Sequence, residues 1–418
     1  MKPAALYISY YTLTEPLAQS QIIAYLRELA ARDIEIHLLS FEREISDERK
    51  QSLNQMLAQA GITWHTLRYH KHPSLPATLY DIAMGALKAW RICRRHGIRF
   101  IHARNHVPAA MALLLQRALG YRWLFDLRGL MAEEYVDGGN WRAGELKFRL
   151  TKAMERVFLH QADAFVMLTQ RIKDELIHRE PTLRQRADDI TVIPCCVDIS
   201  RFVVTQSARN AYRQERGWNG RYVLVYVGKV GTWYLAEEMV HFFAVAHCVD
   251  AKFFFQVLTQ DDPRPIQHAF GAMGISKADY DIRFAPPEQL PTILAAADAS
   301  ISFRKGEYSR LAASPTKVGE SLAAGLPLVT NAGIGDCDQI LTTHRLGIIL
   351  REFSEAEYQL AVKDLCQLLA DNQISQRCRE FAEQELSLSR VGGSRYASVY
   401  RKLLSIKSST VTITTGLA

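Results

Sequence analysis

The stretch Ser314-Pro315-Thr316-Lys317-Val318-Gly319-Glu320-Ser321-Leu322-Ala323-Ala324-Gly325-Leu326-Pro327 carries its own start and stop signals. Ser314 reads as an N-cap, and Pro315 as the first helical residue, where its missing N–H would have had no partner. Gly325 suits the left-handed position after a helix, and Pro327 bars resumption. Val318, Leu322 and Ala323 fall on one stripe. Ser314, Lys317, Glu320 and Ser321 gather on another, because residues three and four apart are neighbours. A cation in the first turn opposes the helix dipole, so Lys317 is locally misplaced. An anion held by free backbone N–H groups and the ammonium resolves the conflict. Glu320, one turn further in, then accepts two hydroxyl protons from a vicinal diol. A diphosphate followed by a ribose is one end of a nucleotide sugar. The competing account is a buried helix with one snorkelling lysine.

Downstream, Leu328-Val329-Thr330 reads as a short buried strand and Gly333-Ile334-Gly335-Asp336 as a loop. Helix, strand and glycine loop in this order suit the ligand edge of an open α/β sheet. Upstream, Tyr222 to Val227 is nearly all apolar, as a central parallel strand should be. Gly228-Lys229-Val230-Gly231-Thr232 follows, where glycines let a backbone approach a phosphate and Lys229 adds charge. Phe253 to Thr259 is a further strand with Thr259 at its end, and Pro287 to Ala297 is a helix before the strand Ala299 to Phe303. Helices follow near 355–370, 374–384 and 390–405.

The first half opens with a strand over residues 4–10, a polar segment, a helix from about Ser20 to Arg32 and a strand from Ile34 to Leu39, a βαβ start without the G-x-G-x-x-G dinucleotide fingerprint. The polar segment holds Glu15, Gln19, Ser20 and Gln21, hydroxyl and amide groups placed to meet a hydroxyl-rich ligand. Helical stretches near 46–60 and 78–96 precede the strand Phe100 to Ala103, which ends at Arg104-Asn105-His106. The strand Trp123 to Phe125 ends at Asp126-Leu127-Arg128-Gly129. Asp126 and Arg128 lie on one side of an extended chain. They read either as catalytic or as a structural ion pair. Glu133, Glu134 and Gly138-Gly139 suggest a mobile loop beside them. A long helix near 143–161 and the strand Ala164 to Leu168 follow.

The 314–336 segment resembles the C-terminal donor motif of glycosyltransferase family 4, retaining enzymes of GT-B fold, with Glu320 matching the family's ribose-binding glutamate. The resemblance implies two Rossmann-like domains facing a cleft, acceptor in the first and donor in the second, and a final helix crossing back. An earlier glutamate usual in the family is replaced by Ala312. Lys229 matches the first basic residue of the family's phosphate loop, and Trp233-Tyr234 stands where a second is usual. The segment from Glu15 to Gln21 is similar to the first loop of members that build surface polysaccharides. Arg128 takes the place of a histidine near the reacting centre. Ile193-Pro194-Cys195-Cys196-Val197-Asp198, ending near Phe202, resembles the family's interdomain link.

From these readings the domains are residues 1–203, 204–386, a returning helix 387–406 and a tail 407–418. The donor site is Gly228, Lys229, Thr259, Ser314, Pro315, Thr316, Lys317 and Glu320. The acceptor site is Glu15, Gln19, Ser20, Gln21 and Arg104, and the catalytic pair is Asp126 and Arg128. The resemblance implies transfer of a hexose-type sugar from a nucleotide-sugar donor to a glycan or lipid-linked glycan, with no metal and no cofactor. Two rivals stay open: a nucleotide-sugar epimerase of similar fold and a non-catalytic sugar-nucleotide binder. No apolar run reaches the roughly 18 residues of a membrane span. Seven scattered cysteines without metal spacing fit reduced thiols in a cytoplasm. The net charge of +7 and basic clusters at Arg91–Arg104 and Arg142–Arg156 fit an anionic inner membrane surface or a solvated face. Nucleic acid is disfavoured, because basic residues are not interleaved with aromatics.

Overall fold

The structure is a computed structural model and describes residues 2–231 and 233–405. Two all-parallel sheets divide the chain. The first holds β1 (Ala4–Ser9), β2 (Glu35–Glu42), β3 (Ile62–Arg68), β4 (Phe100–Arg104), β5 (Arg122–Leu127), β6 (Ala164–Met167) and β7 (Ile190–Val192), in the order β3-β2-β1-β4-β5-β6-β7. The second holds β8 (Tyr222–Val227), β9 (Phe253–Leu258), β10 (Tyr280–Arg283), β11 (Ala299–Ser302), β12 (Leu328–Asn331) and β13 (Gly347–Leu350), in the order β10-β9-β8-β11-β12-β13. The α/β class and the pair of Rossmann-like domains expected from the sequence are therefore present.

Both sheets reverse direction of winding beside their first strand. In the first domain the switch lies between β1 and β4, and in the second between β8 and β11. Ligands of open α/β sheets sit outside the carboxyl ends of strands at such a point. Helices cover both faces of each sheet, so each domain has two apolar layers. The central strands are buried on both faces, which is why they read as continuous apolar runs.

The last helix, Ser394–Ser405, packs Tyr396, Val399, Tyr400 and Leu403 into the first domain's core. The chain thus crosses between domains twice, and the crossings pair: Val197 N–H donates to Leu386 O at 2.8 Å and Leu388 N–H to Val197 O at 2.8 Å. The tail read at 407–418 lies outside the described residues.

Two local expectations are corrected. The first helix starts at Pro16 and runs through a π-helical turn, Gln19–Ile23, to Ala30. Proline presets the helical φ at the first position, so Gln19, Ser20 and Gln21 are helical and do not form a loop. The donor helix is Thr316–Ala323 with Pro315 as its N-cap. The Ser314 hydroxyl accepts the Cys195 N–H of the interdomain link at 3.0 Å and does not cap the helix. The helix ends as read: Gly325 has φ 83°, its N–H reaches Leu322 O and that of Leu326 reaches Ser321 O, a Schellman closure.

Candidate functional site

At the second domain's switch point, Gly228 follows β8 with φ 141°, and a Cβ there would lie 2.4 Å from the Lys317 Nζ. The glycine therefore makes room for the lysine. The ammonium lies 3.3 Å from the centroid of the Tyr234 ring and 4.5 Å from that of Tyr226. It donates to the Tyr226 hydroxyl at 3.2 Å, which in turn donates to the Lys229 carbonyl. Burial, then the positive charge of Arg304, hold the lysine's pKa well below its ordinary value. Arg304, just past β11, brings a second positive charge near Lys317, and its buried Nε has no hydrogen-bond partner among the described residues. Lys229 is exposed.

The Glu320 carboxylate accepts no hydrogen bond among the described residues, and burial raises its pKa to about 7 despite Arg201 and Lys317 nearby. A carboxylate in this condition lacks the partners that a buried charge ordinarily has. The space around Lys317 is closed to about 10 Å³. Two strands along the same edge, Thr259, Asp261, Arg283 and the exposed ring of Phe284 line a hollow of about 430 Å³ at the ends of β9 and β10. The Thr259 hydroxyl accepts the Asp261 N–H at 3.1 Å, and Asp261 in turn holds the Val230 N–H at 2.7 Å.

The first domain's switch point holds an open cavity of about 430 Å³, with Tyr10, Thr12, Glu15, Asn105, His106 and Glu134 among its lining residues. Six aromatic side chains face it, including the stacked pair Tyr135 and Trp141 at 4.4 Å, and Arg43, Lys71 and Lys147 bring positive charge. His106 is oriented by Asn105 Oδ1 at 3.1 Å and Glu155 Oε2 at 2.9 Å. Glu134 lies between this cavity and the second domain. Its carboxylate has no hydrogen bond among the described residues, and burial raises its pKa against the pull of Arg304 and His106. Gly129 makes room for it, since a Cβ there would lie 2.1 Å from Oε1.

Of the residues read as acceptor-binding, Glu15 lines this cavity and the others do not. Gln19 donates to Leu13 O at 2.6 Å, Ser20 to Pro16 O at 3.2 Å, and Gln21 to Cys196 O at 3.2 Å. Arg104 is buried against Tyr7 and Asp126. Asp126 is wholly buried, 3.2 Å from His102 Nε2 and 3.5 Å from Arg104, with Arg128 3.7 Å from its other oxygen. Burial alone would raise its pKa, but Arg128, His102 and Arg104 outweigh it and hold the carboxyl at about 2. Arg128 also reaches Gln21, Cys195 and Tyr396, and His102 reaches Tyr400. The pair that the sequence offers for catalysis therefore sits in a network tying the first domain to the link and the returning helix.

The loop Gly333–Asp336 also differs from its ligand-loop reading. Asp336 accepts the N–H groups of Gln170 and Arg171 at 2.7 and 3.0 Å, at the start of the first-domain helix Gln170–Arg179. This contact, with Tyr308 on Glu175 at 3.2 Å and Ser309 on Asp137, holds the two domains together across the cleft.

Residues 18–201 match the model of Glycosyltransferase Family 4. No curated protein sequence matches the chain. Among solved structures, the Anabaena protein HepE in complex with UDP and glucose superimposes with a TM-score of 0.68 at 14% identity, covering 97% of this chain and 100% of that one. WaaG, a glycosyltransferase involved in lipopolysaccharide biosynthesis, gives 0.67 at 16% identity over 95% and 99%. A putative UDP-N-acetylglucosamine 2-epimerase from Listeria monocytogenes gives 0.61 at 10% identity over 97% and 98%. The GT-B fold is common to all three, so the fold by itself does not separate transfer from epimerisation. The family match at residues 18–201 and the resemblance at residues 314–336 fall in different halves of the chain and agree in pointing to glycosyltransferase family 4.

Proposed function

We infer that this GT-B glycosyltransferase moves a sugar from a nucleotide diphosphate sugar to a hydroxyl of a glycan or lipid-linked glycan, with retention at the anomeric carbon. The observation that supports it most is the pairing of Lys317, Arg304 and a partnerless Glu320 at one switch point with an aromatic-lined cavity at the other. On this reading the nucleotide lies along the carboxyl edge of the second sheet. Its base stacks on Phe284 beside Thr259, its ribose hydroxyls donate to Glu320, and its diphosphate meets Lys317, Arg304 and the start of the helix Thr316–Ala323. Strands lie about 4.8 Å apart, so the step from β9 to β8 matches the step from nucleoside to phosphate.

Chemistry then follows from charge. As the glycosidic bond to the diphosphate breaks, negative charge grows on the leaving oxygens. Cations already in place stabilise it more than they stabilise the substrate, which lowers the barrier. The acceptor occupies the first-domain cavity, its rings over Tyr135 and Trp141, and Glu134 orients the attacking hydroxyl toward the donor. Arg43, Lys71 and Lys147 suit an acceptor bearing phosphate or carboxylate. Turnover needs no divalent ion on this reading and proceeds in chelator.

The mouth of the cavity carries Leu75 and Leu150, with Leu146 78% exposed beside them and Lys147 and Arg149 on the same helix. Exposed leucines among cations suit an anionic bilayer, so the reading puts the enzyme on the inner face of a membrane during synthesis of a surface polysaccharide. Among the described residues, no helix is long and apolar enough to cross a membrane. Sedimentation with anionic but not neutral vesicles at low salt is the expected result. Arg91, Arg94, Arg95 and Arg99 lie at the far end of the first sheet, so their substitution should matter less than that of Lys147 and Arg149.

A panel of nucleotide sugars and free nucleotides, followed by melting temperature, tests the function, since a ligand that binds only the folded state raises it. A rise with a nucleotide sugar, and release of the nucleotide diphosphate when an acceptor glycan is added, is expected. No rise with any member of the panel overturns the reading. A changed donor sugar without transfer points to the epimerase, and binding without turnover to the non-catalytic binder.

A further inference from the structure

The sequence shows no run of residues with metal-ligand spacing, but the fold builds a cluster of metal-binding side chains at the amino edge of the first sheet, the end away from the cleft. Glu35 and His37 are two residues apart on β2 and so share a face. His65 on β3 stands opposite Leu39 in register, which puts it on that face as well. His96 is the last residue of the helix Ser74–His96, whose buried side packs on the first sheet. We propose that Glu35, His37 and His96 bind one divalent transition-metal ion of the zinc class, with His65 fixing the ring of His37.

The ligand atoms of Glu35, His37 and His96 lie within 4.8 Å of one another. Tetrahedral zinc, with bonds of about 2.0–2.2 Å, brings its ligands to roughly 3.4 Å apart, a contraction that exposed side chains can make. His37 is the fixed point, being 1% exposed, and Glu35 and His96 lie at the surface. The hydrogen bonds already have the needed order. His37 Nε2 faces Glu35 Oε1 at 3.0 Å, and His37 Nδ1 faces His65 Nε2 at 3.2 Å. With Nε2 on the metal, Nδ1–H donates to His65, the outer-shell partner that a metal-bound imidazole characteristically has. Two imidazoles and one carboxylate favour zinc over magnesium or calcium, which prefer oxygen ligands. Lys88 and Arg95 stand near the imidazoles, and their charge opposes any dication, so nitrogen coordination has to outweigh that repulsion. Bound there, the ion would clip the carboxyl end of the long helix to β2, while the other end of that helix lines the acceptor cavity through Ser74, Leu75 and Thr78.

The test uses the tag-free full chain, stripped with chelator and titrated with zinc sulfate or magnesium chloride. Uptake of one zinc per chain by calorimetry and a raised melting temperature are expected, with no response to magnesium. His96→Gln should abolish the uptake, and His268→Gln, at an exposed histidine elsewhere, should leave it intact. His65→Gln, which removes the outer-shell partner of His37, should weaken binding about 10–100-fold, and Glu35→Gln, which removes a ligand, should weaken it more. The apo melting temperatures of the variants, matched to the apo wild type, show that the chain still folds. Absence of zinc uptake, or uptake by His96→Gln equal to wild type, overturns the proposal. Neither readout uses turnover, so the result stands apart from the glycosyltransferase reading.

Discussion

The two switch points of this molecule are built alike and filled differently. In the first domain the crevice is an open cavity of about 430 Å³. In the second, Lys317 lies on two tyrosine rings and lines a void of only about 10 Å³. One site is ready for its ligand. On the proposed reading the other stores its principal cation on aromatic faces, where a lysine is held by roughly 1–2 kcal/mol and from which a diphosphate would draw it. On that reading, ligand-free stability and ligand-bound chemistry compete for the same ammonium in the second domain and do not compete in the first.

The sharpest way to break this comparison is to show that the first domain's buried pair is chemical after all. Asp126→Asn should cost about 3–5 kcal/mol of stability, because it leaves Arg104 and Arg128 without their carboxylate. Asp126 is held at about 2, below its unfolded value. Its contribution is therefore present above the unfolded pKa and is lost as pH falls through about 2, so the variant should lack that part of the acid transition in denaturant titrations. A fully stable Asp126→Asn with turnover gone would return Asp126 to the catalytic role.

Lys317→Gln comes next. Turnover should fall about 10²–10³-fold, as when one preorganised donor to a developing oxyanion is removed, with a smaller loss of donor affinity. Steady-state kinetics and calorimetry on one preparation check this, and equal losses in both would mean that the lysine serves binding alone. Glu134→Gln should lower turnover about 10²-fold and leave donor affinity unchanged, which separates the acceptor side from the donor side.

Glu320→Ala should weaken nucleotide-sugar binding by about 1.5–3 kcal/mol, read by calorimetry. Glu320→Gln adds a pH test. The folded carboxyl is raised to about 7, above its unfolded value, so its contribution is present below the unfolded pKa and is lost as pH rises through about 7. The melting temperature of Glu320→Gln relative to wild type should therefore climb between pH 4.5 and 7. The smallest effect is that of Asp336→Ala, which removes the second-domain carboxylate from a first-domain helix start at a cost of about 1 kcal/mol. Solution scattering of the ligand-free variant should show a more open pair of domains.

How much of this was legible in the sequence follows the same division between contiguous and assembled features. Central strands such as β8 and β9 are nearly all apolar and were read directly. The edge strands β3, β10 and β13 are half-buried, so Ile62–Arg68 and Tyr280–Arg283 alternate with polar residues and gave no comparable signal. Lys317 and Glu320 were legible because one capped helix carries both. The acceptor cavity was not, because its lining comes from separate strand ends and helix starts that only the topology brings together. Asn105 and His106 stood in a polar cluster at a strand end, and Glu133 and Glu134 beside a glycine pair, which was the available signal. Ser314 was misread because its hydroxyl answers a partner 119 residues away, and Gln21 because its amide does the same across 175.

The paired crossings at Val197 and Leu386–Leu388 constrain how the domains meet. Two tethers running side by side would act as the two knuckles of a door hinge, suppressing twisting and sliding and leaving swing about one axis. On the proposed function, a bound acceptor and a bound donor would then approach along a single arc and would not wander through the full space that one flexible linker allows, so each closure would present the same faces in the same register. A nick in one tether would leave the domains joined while releasing them to rotate, and geometric fidelity of transfer would be lost before the fold was.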